Sequence, residues 1–593
     1  MKRPRRAGAV APTRALRAPA PRATLDLRVL WIVGSLTIFM AICYGHALQV
    51  PFIGDDYVYL DKTRQASFFD LWSRANTDFG WYRPWSRELH FWALEHAFGP
   101  HEPGFRSVSL LLWLAMLVLY LLLLHRVAGL RMATIAALGV ASLSLWGAPL
   151  TWISGAQDLW MLVFVLATLV LVDRGRPRWA LVPFGLALLS KETAAIVPLV
   201  VFAHASLVQR RSWGDSLRAT LPFVLVAFAW LALHPVLLHR LTHPALPATG
   251  DRPLRPWEIA LRSGLSLINL DRLPIRPDPH AWRPVAMALG ALVLAVAAGL
   301  TLRGERPARD IQDSRMLRAR LVGFGLAWCG AGWLPLFSPS VGWHAYYGGL
   351  GVLGGWLALA VFLERRTIVV VTLLISLVLL RGGAAATPSW DWGSEWYQTR
   401  AGNMLSVIRG QMAELHPMLP PHTRLYFGNI PNNIGLIAGR SPAVRVWYRD
   451  PTIQGGFYSY YRPRSANQPD GPDLFFHFDS TSGIREVIPE RPPPAGVGRG
   501  TEWEMEHESL AITLLRGGDL TRAAAAFESI ARLPHRPDAL MFAGTCWRSA
   551  GNPARAGRLF ELARVRTQLS SSEIEAWAER LHKTMPGAAA GSP

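Results

Sequence analysis

Residues 29–57 read VLWIVGSLTIFMAICYGHALQVPFIGDDY. The first part of this stretch carries no charge for long enough to matter: at 1.5 Å per residue, about twenty apolar residues in a helix cross the roughly 30 Å hydrocarbon core of a bilayer. Charge arrives only at the far end, as the adjacent carboxylates of Asp55 and Asp56. On the near side lie Lys2, Arg3, Arg5, Arg6, Arg14, Arg17, Arg22 and Arg28, and the positive-inside rule keeps such a segment in the cytoplasm. A basic region before an apolar run is also the pattern of a signal peptide. Here the run exceeds a signal core and no convincing small-x-small cleavage site follows, so a retained anchor is the expectation. Either way the Asp55-Asp56 pair emerges outside.

Further apolar runs begin near Phe105, Met132, Leu159, Ala180, Ala194, Leu221, Pro284, Leu321, Tyr346 and Thr367, giving about eleven spans in all. Arg126 and Arg131, then Arg174, Arg176 and Arg178, then Arg210 and Arg211, the stretch Arg303 to Arg320, and Arg365 with Arg366 alternate onto the cytoplasmic side. The chain from about Gly382 onward then lies outside. One outer loop disobeys, because His239 to Arg283 holds Arg240, Arg252, Arg255, Arg262, Arg272, Arg276 and Arg283. Either the span count is off by one there, or Pro256 to Leu270 forms an amphipathic helix whose arginines meet lipid phosphates at the outer interface.

Composition agrees with a polytopic membrane protein: of 593 residues, 51% are hydrophobic and only 17% charged. The net charge of +20 invites a nucleic-acid reading. The arginines, however, lie in short runs between apolar stretches and orient the chain in a membrane, so no nucleic-acid partner is expected. Cys43, Cys329 and Cys546 have neither disulfide-framework nor metal-ligand spacing.

The outer loops hold the residues that suggest chemistry. In Phe52-Ile53-Gly54-Asp55-Asp56-Tyr57, two like charges side by side raise the cost of ionising both, which suits one member to proton transfer; a helix N-cap with a solvated neighbour is the competing reading. Trp81-Tyr82-Arg83-Pro84-Trp85 offers a phosphate-binding guanidinium or an interfacial anchor. Asp158 follows Ser154-Gly155 at the mouth of a span, where an isolated carboxylate needs a partner or a function. Ser190-Lys191-Glu192 interrupts the apolar run from Ala180 to Ala203. Lysines are scarce, with only Lys2, Lys62, Lys191 and Lys583 in the chain, so Lys191 is not generic basicity, although a local ion pair or snorkelling would also account for it. Together, Asp55, Asp56 and Asp158 supply carboxylates, and Arg83 and Lys191 supply cations at one membrane face. That set suits transfer from a lipid-linked phosphate donor, without a metal.

The order of these motifs resembles the GT-C class of polyprenyl-phosphate-dependent glycosyltransferases, and within it the transmembrane O-mannosyltransferases that carry tetratricopeptide repeats. The resemblance rests on Asp55-Asp56, Tyr82-Arg83-Pro84, the run from Phe98-Gly99 to Phe105, Ser154-Gly155 with Asp158, and Ser190-Lys191-Glu192, and covers roughly the first 200 residues. It implies that Asp55 is the catalytic base, with Asp56 beside it and Asp158 a second acidic member. Arg83, Lys191 and Glu192 fall at the donor phosphate; Tyr57, Tyr82, His344 and Tyr346 are candidates to line the site, with an interfacial aromatic cluster the competing reading for His344 and Tyr346. It also implies an inverting transfer of a sugar from a polyprenyl-phosphate donor to a hydroxyl of a protein or envelope glycan, with no cofactor. Where such proteins often show Arg-Tyr-x-Tyr-x-Pro in a late outer loop, this chain has Trp343-His344-Ala345-Tyr346-Tyr347-Gly348; the arginine and proline are missing.

The expected organisation is a basic cytoplasmic N-terminus (1–28), a GT-C-like transmembrane domain (29–381) with a long first outer loop (49–104), an extracytoplasmic mixed α/β domain (382–488), a linker (489–505), tetratricopeptide-like helical repeats (506–585) and a flexible end (586–593). Strands are expected at Arg424 to Phe427, Ala443 to Tyr448 and Asp473 to Phe478. The repeats follow from Gly518-Asp519 recurring as Gly551-Asn552, Ala523 as Ala556 and Phe527 as Phe560. Two repeats need a surface to pack on, and their concave face suits a protein partner. The Arg-rich, Lys-poor composition points to a bacterial inner membrane with a periplasmic tail. A catalytically silent scaffold that assembles an envelope complex through that tail is the alternative; a transporter fits less well, because the polar residues cluster at one boundary rather than at mid-membrane.

Overall fold

Residues 27–242, 254–303, 311–338, 343–431 and 441–585 are described by a computed structural model. The basic stretch 1–26, Arg252 and the end segment 586–593 lie outside the described residues. The first described helix is α1 (Leu27–Tyr44), and the long loop after it folds into α2 (Asp55–Thr63) and α3 (His90–Phe98). Next come α4 (Glu102–Ala128), α5 (Leu130–Ala141), the short α6 (Gly147–Thr151), α7 (Ala156–Asp173), α8 (Pro177–Leu188) and α9 (Val197–Ala203). They are followed by α10 (Trp213–Leu233), α11 (Leu237–Thr242), α12 (Pro256–Ser266), α13 (Pro284–Arg303), α14 (Ile311–Trp333), α15 (Gly349–Leu363) and α16 (Thr367–Ala386).

Among the described residues, eight helices are long and apolar enough to cross a membrane, or nine if the pair bent by 55° between Leu130–Ala141 and Ser144–Thr151 counts as one span. The shortfall from eleven falls at the runs near Ala180 and Ala194. There α8 has 12 residues, about 18 Å of helix, and Glu192–Val208 is a shorter apolar helix. The break between them is Lys191, whose backbone is extended and whose ammonium turns to Asp158. A buried ion pair therefore divides what an apolar profile reads as membrane helix. The amphipathic helix expected at Pro256 to Leu270 is α12, with Trp257 and Leu261 exposed and Ile259 and Ser263 buried.

The bundle has two chemically distinct ends. At one, Arg126 donates to Asp173 at 2.6 Å, Arg131 reaches the carbonyls of Leu302 and Glu364 and, at 2.9 Å, the Thr367 hydroxyl, and Arg318 pairs with Glu364. Asp158 stands on the same helix as Asp173 but fifteen residues earlier, about 22 Å along the axis, and marks the other end. Between the ends the helices pack on apolar side chains, and α14 and α15 pack almost backbone to backbone. A Cβ on Gly332 would lie 2.4 Å from the Gly351 nitrogen, and one on Gly354 would lie 2.4 Å from the Cys329 nitrogen. Small residues thus replace the hydrophobic driving force that lipid cannot supply.

Beyond the bundle, α17 (Glu395–Leu415) leads into a sheet of β1 (Arg424–Gly428), β2 (Gln454–Phe457), β3 (Asp473–Asp479) and β4 (Gly483–Glu486), ordered β2-β1-β3-β4, with β4 antiparallel and the others parallel. The stretch Ala443 to Tyr448 is not the strand its alternation suggests; it is α18 (Pro442–Tyr448). Pro442 stands in the first turn, where its fixed φ favours a helix. Arg445 then reaches Asp61 at 2.7 Å and Trp447 donates to the Tyr57 hydroxyl at 3.0 Å, so the helix docks on α2. Strand alternation sends Phe476 into a core shared with Phe52, Tyr57 and Leu405, and Phe475 into another shared with Leu510, Leu514 and Phe527. The second core belongs to α19 (Glu502–Gly517), α20 (Leu520–Ile530), α21 (Asp538–Ser549), α22 (Pro553–Thr567) and α23 (Ser571–Thr584).

Candidate active site

Arg106 organises the end of the bundle where the loops carrying Asp55 and Asp158 meet. Fully buried at the start of α4, it donates to the carbonyls of Val50 at 2.6 Å and Pro51 at 2.5 Å, and to that of Thr151. The loop carrying Asp55 and the loop preceding Asp158 are thereby tied to one guanidinium. Between them and α9, α10 and α11 lies a cavity of about 680 Å³, lined by Asp55, Arg83, Arg87, Lys191, Glu192 and Arg240 at its polar end. Leu199, Val224, Phe228 and Leu231 form an apolar wall, and the rings of Trp81, Trp152, Tyr347 and Trp392 stand around the rest.

The two adjacent aspartates part company. Asp56 is fully buried and saturated: it accepts from the Ile53 N–H at 3.1 Å, the Ser154 N–H at 2.8 Å and the Ser154 hydroxyl at 2.6 Å. It does not line the cavity; it staples the loop after α1 to the loop before α7. Asp55 does line it, and makes no hydrogen bond or ion pair with any described residue. Burial, and then the negative charge of Asp56, push its carboxyl up to about 7, against the partial opposition of Arg87 and Arg83. A carboxylate held near neutrality with free lone pairs has what a general base requires.

The cations are held by partners of their own. Lys191 contacts both oxygens of Asp158 at 2.6 Å and lies 4.2 Å from the Tyr347 ring centroid, so Asp158 acts on the cavity through Lys191. Arg83 pairs with Glu192 at 2.7 Å and donates to Gln157 at 2.7 Å. Glu192, expected at a donor phosphate, is an anion that would repel one, and its geometry makes it the group that fixes Arg83. Arg87 pairs with Glu88 at 2.6 Å.

Four of the residues expected to line the site stand behind it. The Tyr57 hydroxyl meets Trp447, and Tyr82 donates to the Trp72 carbonyl at 2.9 Å. His344 bonds Asp391 at 2.7 Å and packs 4.0 Å from the Trp392 ring. Tyr346 lies 5.5 Å from the Lys191 ammonium but forms no part of the cavity wall.

Sequence reasoning missed Arg87, Gln157, Tyr347 and Arg240. Arg87 had a signal, four residues after Arg83 in a helical turn and so on the same face. Arg240 had appeared only as a violation of the orientation rule. Its guanidinium lies 4.2 Å over Trp81 and donates to the Phe79 carbonyl at 3.0 Å. Among the described residues it has no carboxylate partner, alone of the four cavity cations. Gly80, at φ +72°, makes room for it: a Cβ there would fall 2.1 Å from its Nη2. Among the described residues, no group of three His, Cys, Asp or Glu side chains is placed to hold a metal ion.

Fold and site define a chain built of many bilayer-length apolar helices, with a cavity at one end of the bundle that is charged in part and walled in part by apolar side chains of α9 and α10. No protein-family model matches this sequence, and no curated protein matches it. Among solved structures it is similar to ArnT from Cupriavidus metallidurans, both bound to undecaprenyl phosphate and in the apo state. Each match has 16% identity and a TM-score of 0.37, over 72% of this chain and 86% of that one. So distant a likeness says nothing of activity, and the reading of the cavity rests on its own residues.

Proposed function

We propose that this chain is a GT-C-type membrane glycosyltransferase that moves a sugar from a polyprenyl-phosphate donor to an acceptor hydroxyl at the extracytoplasmic face of a bacterial inner membrane. The observation that carries this is the cavity's polarity: one unpaired carboxylate and a set of cations at one end, aliphatic side chains along the wall. An isoprenoid chain fits the second and its phosphate the first.

In the transfer, Asp55 accepts the proton of the acceptor hydroxyl as that oxygen bonds to the anomeric carbon. The bond from that carbon to the phosphate oxygen breaks, the electron pair leaves with the polyprenyl phosphate, and displacement from the opposite face inverts the centre. Arg83, Arg87, Lys191 and Arg240 stabilise the charge that grows on the departing phosphate. Because the first three already hold carboxylates, Arg240 is the cation with most to gain from the phosphate. The surrounding tryptophan and tyrosine rings supply flat apolar faces for a sugar. The resemblance to repeat-bearing O-mannosyltransferases makes a hexose the expected sugar and a protein or envelope-glycan hydroxyl the expected acceptor, with the tail helices recruiting a protein partner.

Replacing Asp55 with Asn tests the proposal. D55N inserts and folds but loses transfer by about 10²–10⁴-fold, the usual worth of a general base, measured as glycoconjugate product by mass spectrometry against a gene deletion. Wild-type product levels from D55N would instead favour a non-catalytic scaffold.

A further inference from the structure

A second cavity, of about 280 Å³, opens at the same end of the bundle but between different elements: the C-terminal end of α1, the residues leading into α13, the last turns of α16 and the first turns of α17. Its floor is Arg381, which is 1% exposed and pairs with Glu395 at 3.0 Å. His46 bonds the same carboxylate at 2.9 Å, and the Arg381 guanidinium lies 4.0 Å from the Tyr44 ring centroid. The Arg381 Nε is buried with no hydrogen-bond partner among the described residues, and a buried donor left unpaired is costly unless something fills it. The rim carries Arg283, Arg400 and His280, all exposed. The side chains of Arg283 and Arg400 make no hydrogen bond or ion pair with described residues; Arg400 only lies over Trp396. Of the carboxylates at hand, Glu395 is engaged by Arg381 and His46, and Asp278 accepts the His280 N–H at 2.9 Å.

We propose that this cavity binds a phosphate anion at the membrane surface, carried as the headgroup of an acidic phospholipid. Arg283 and Arg400 bring two guanidiniums without carboxylate partners among the described residues to a cavity whose floor is the Arg381–Glu395 pair, an excess of positive charge over the single remaining carboxylate of Asp278, and planar guanidinium donors suit phosphate oxygens. The volume accommodates a headgroup and not its chains. Those have a surface of their own, because Ile38 on α1, Leu289 and Leu292 on α13 and Leu379 on α16 are exposed apolar side chains on the very helices whose ends form the cavity. Arginines on an outer loop, anomalous as orientation signals, are then accounted for at Arg283 by a ligand.

The test uses the full chain in detergent, titrated separately with phosphatidylglycerol, phosphatidylcholine and inorganic phosphate, with retained lipid read by native mass spectrometry and stability by thermal shift. Phosphatidylglycerol should bind at least about tenfold more tightly than phosphatidylcholine, and R283Q/R400Q should erase that preference, since two charge-assisted contacts are worth a tenfold or more. Both rim residues are exposed, so this variant keeps the fold. R240Q should retain the preference, which separates this site from the first cavity and from the transferase proposal. A thermal shift with inorganic phosphate in the wild type but not in R283Q/R400Q would also support the anion site and assign free phosphate as a sufficient ligand. Equal binding of the two lipids, or full phosphatidylglycerol binding by R283Q/R400Q, would overturn it.

Discussion

Asp55 and Asp56 show how far apart two neighbouring identical residues can be driven by their surroundings. Their adjacency was legible in the sequence, as was the suspicion that one is protonated near neutrality. The family resemblance pointed to Asp55 as the base; what the residues alone did not show is that Ser154, almost a hundred residues away, engages Asp56 and leaves the Asp55 carboxylate facing the cavity. The raised carboxyl of Asp55 fixes two signs. As a base it must be ionised, so transfer should rise with pH through an apparent pKa of about 7. For stability the effect is opposite. The folded chain keeps the Asp55 proton up to about 7 while the unfolded chain releases it near the ordinary value of 3.8, so the wild type should lose stability relative to D55N between those two values and run parallel to it above them. Thermal melts of both proteins at several pH values check this. The pair of Lys191 and Asp158 makes a separate prediction. K191M alone strands a buried carboxylate and should cost about 3–5 kcal/mol, whereas K191M/D158N should recover most of that loss. A loss in K191M/D158N equal to the sum of the K191M and D158N losses would show the pair to be uncoupled.

At the level of elements, long apolar runs were readable because periodicity is irrelevant when every face is apolar; length alone decides. Reading failed where tertiary contacts set the backbone. Ala443 to Tyr448 alternates like a strand but is held as α18 by Pro442 and by its grip on α2. Ala180 to Ala203 reads as membrane helix but is divided at Lys191. The offset of 33 residues in the tail has a concrete basis: Gly518 and Gly551 both end a helix at positive φ, and Asp519 and Asn552 each cap the next helix by accepting the N–H three residues on. The turn at Gly80 offers a test of a different kind. G80A forces Arg240 aside and strains a backbone at φ +72°, so it should raise the KM for donor by about tenfold, as R240Q does, and the double variant should be little worse than either. Independent, multiplying effects in the double variant would mean that Gly80 acts on something other than Arg240.

For the molecule as a whole, two chemically different ends of one bundle make topology measurable. Cys43, Cys329 and Cys546 are buried, so new cysteines report without background. In spheroplasts, M418C beyond the sheet-side helix α17 should react with a membrane-impermeant maleimide, and W179C near the Arg126–Asp173 end should react only after lysis; Met418 and Trp179 are both well exposed. The reverse pattern would invert the chain and place Asp55 in the cytoplasm. Of the spans, α10 is the least buried by protein, yet Val224, Phe228 and Leu231 on it form the wall of the first cavity. Among the described residues little protein backs that partition, so most of its outward face is left to lipid. On the proposed function, a donor reaching the cavity along the plane of the bilayer would never have to be lifted into water, and the chain would meet its substrate by two-dimensional diffusion, at a pace governed by how crowded that leaflet is with donor rather than by any bulk concentration.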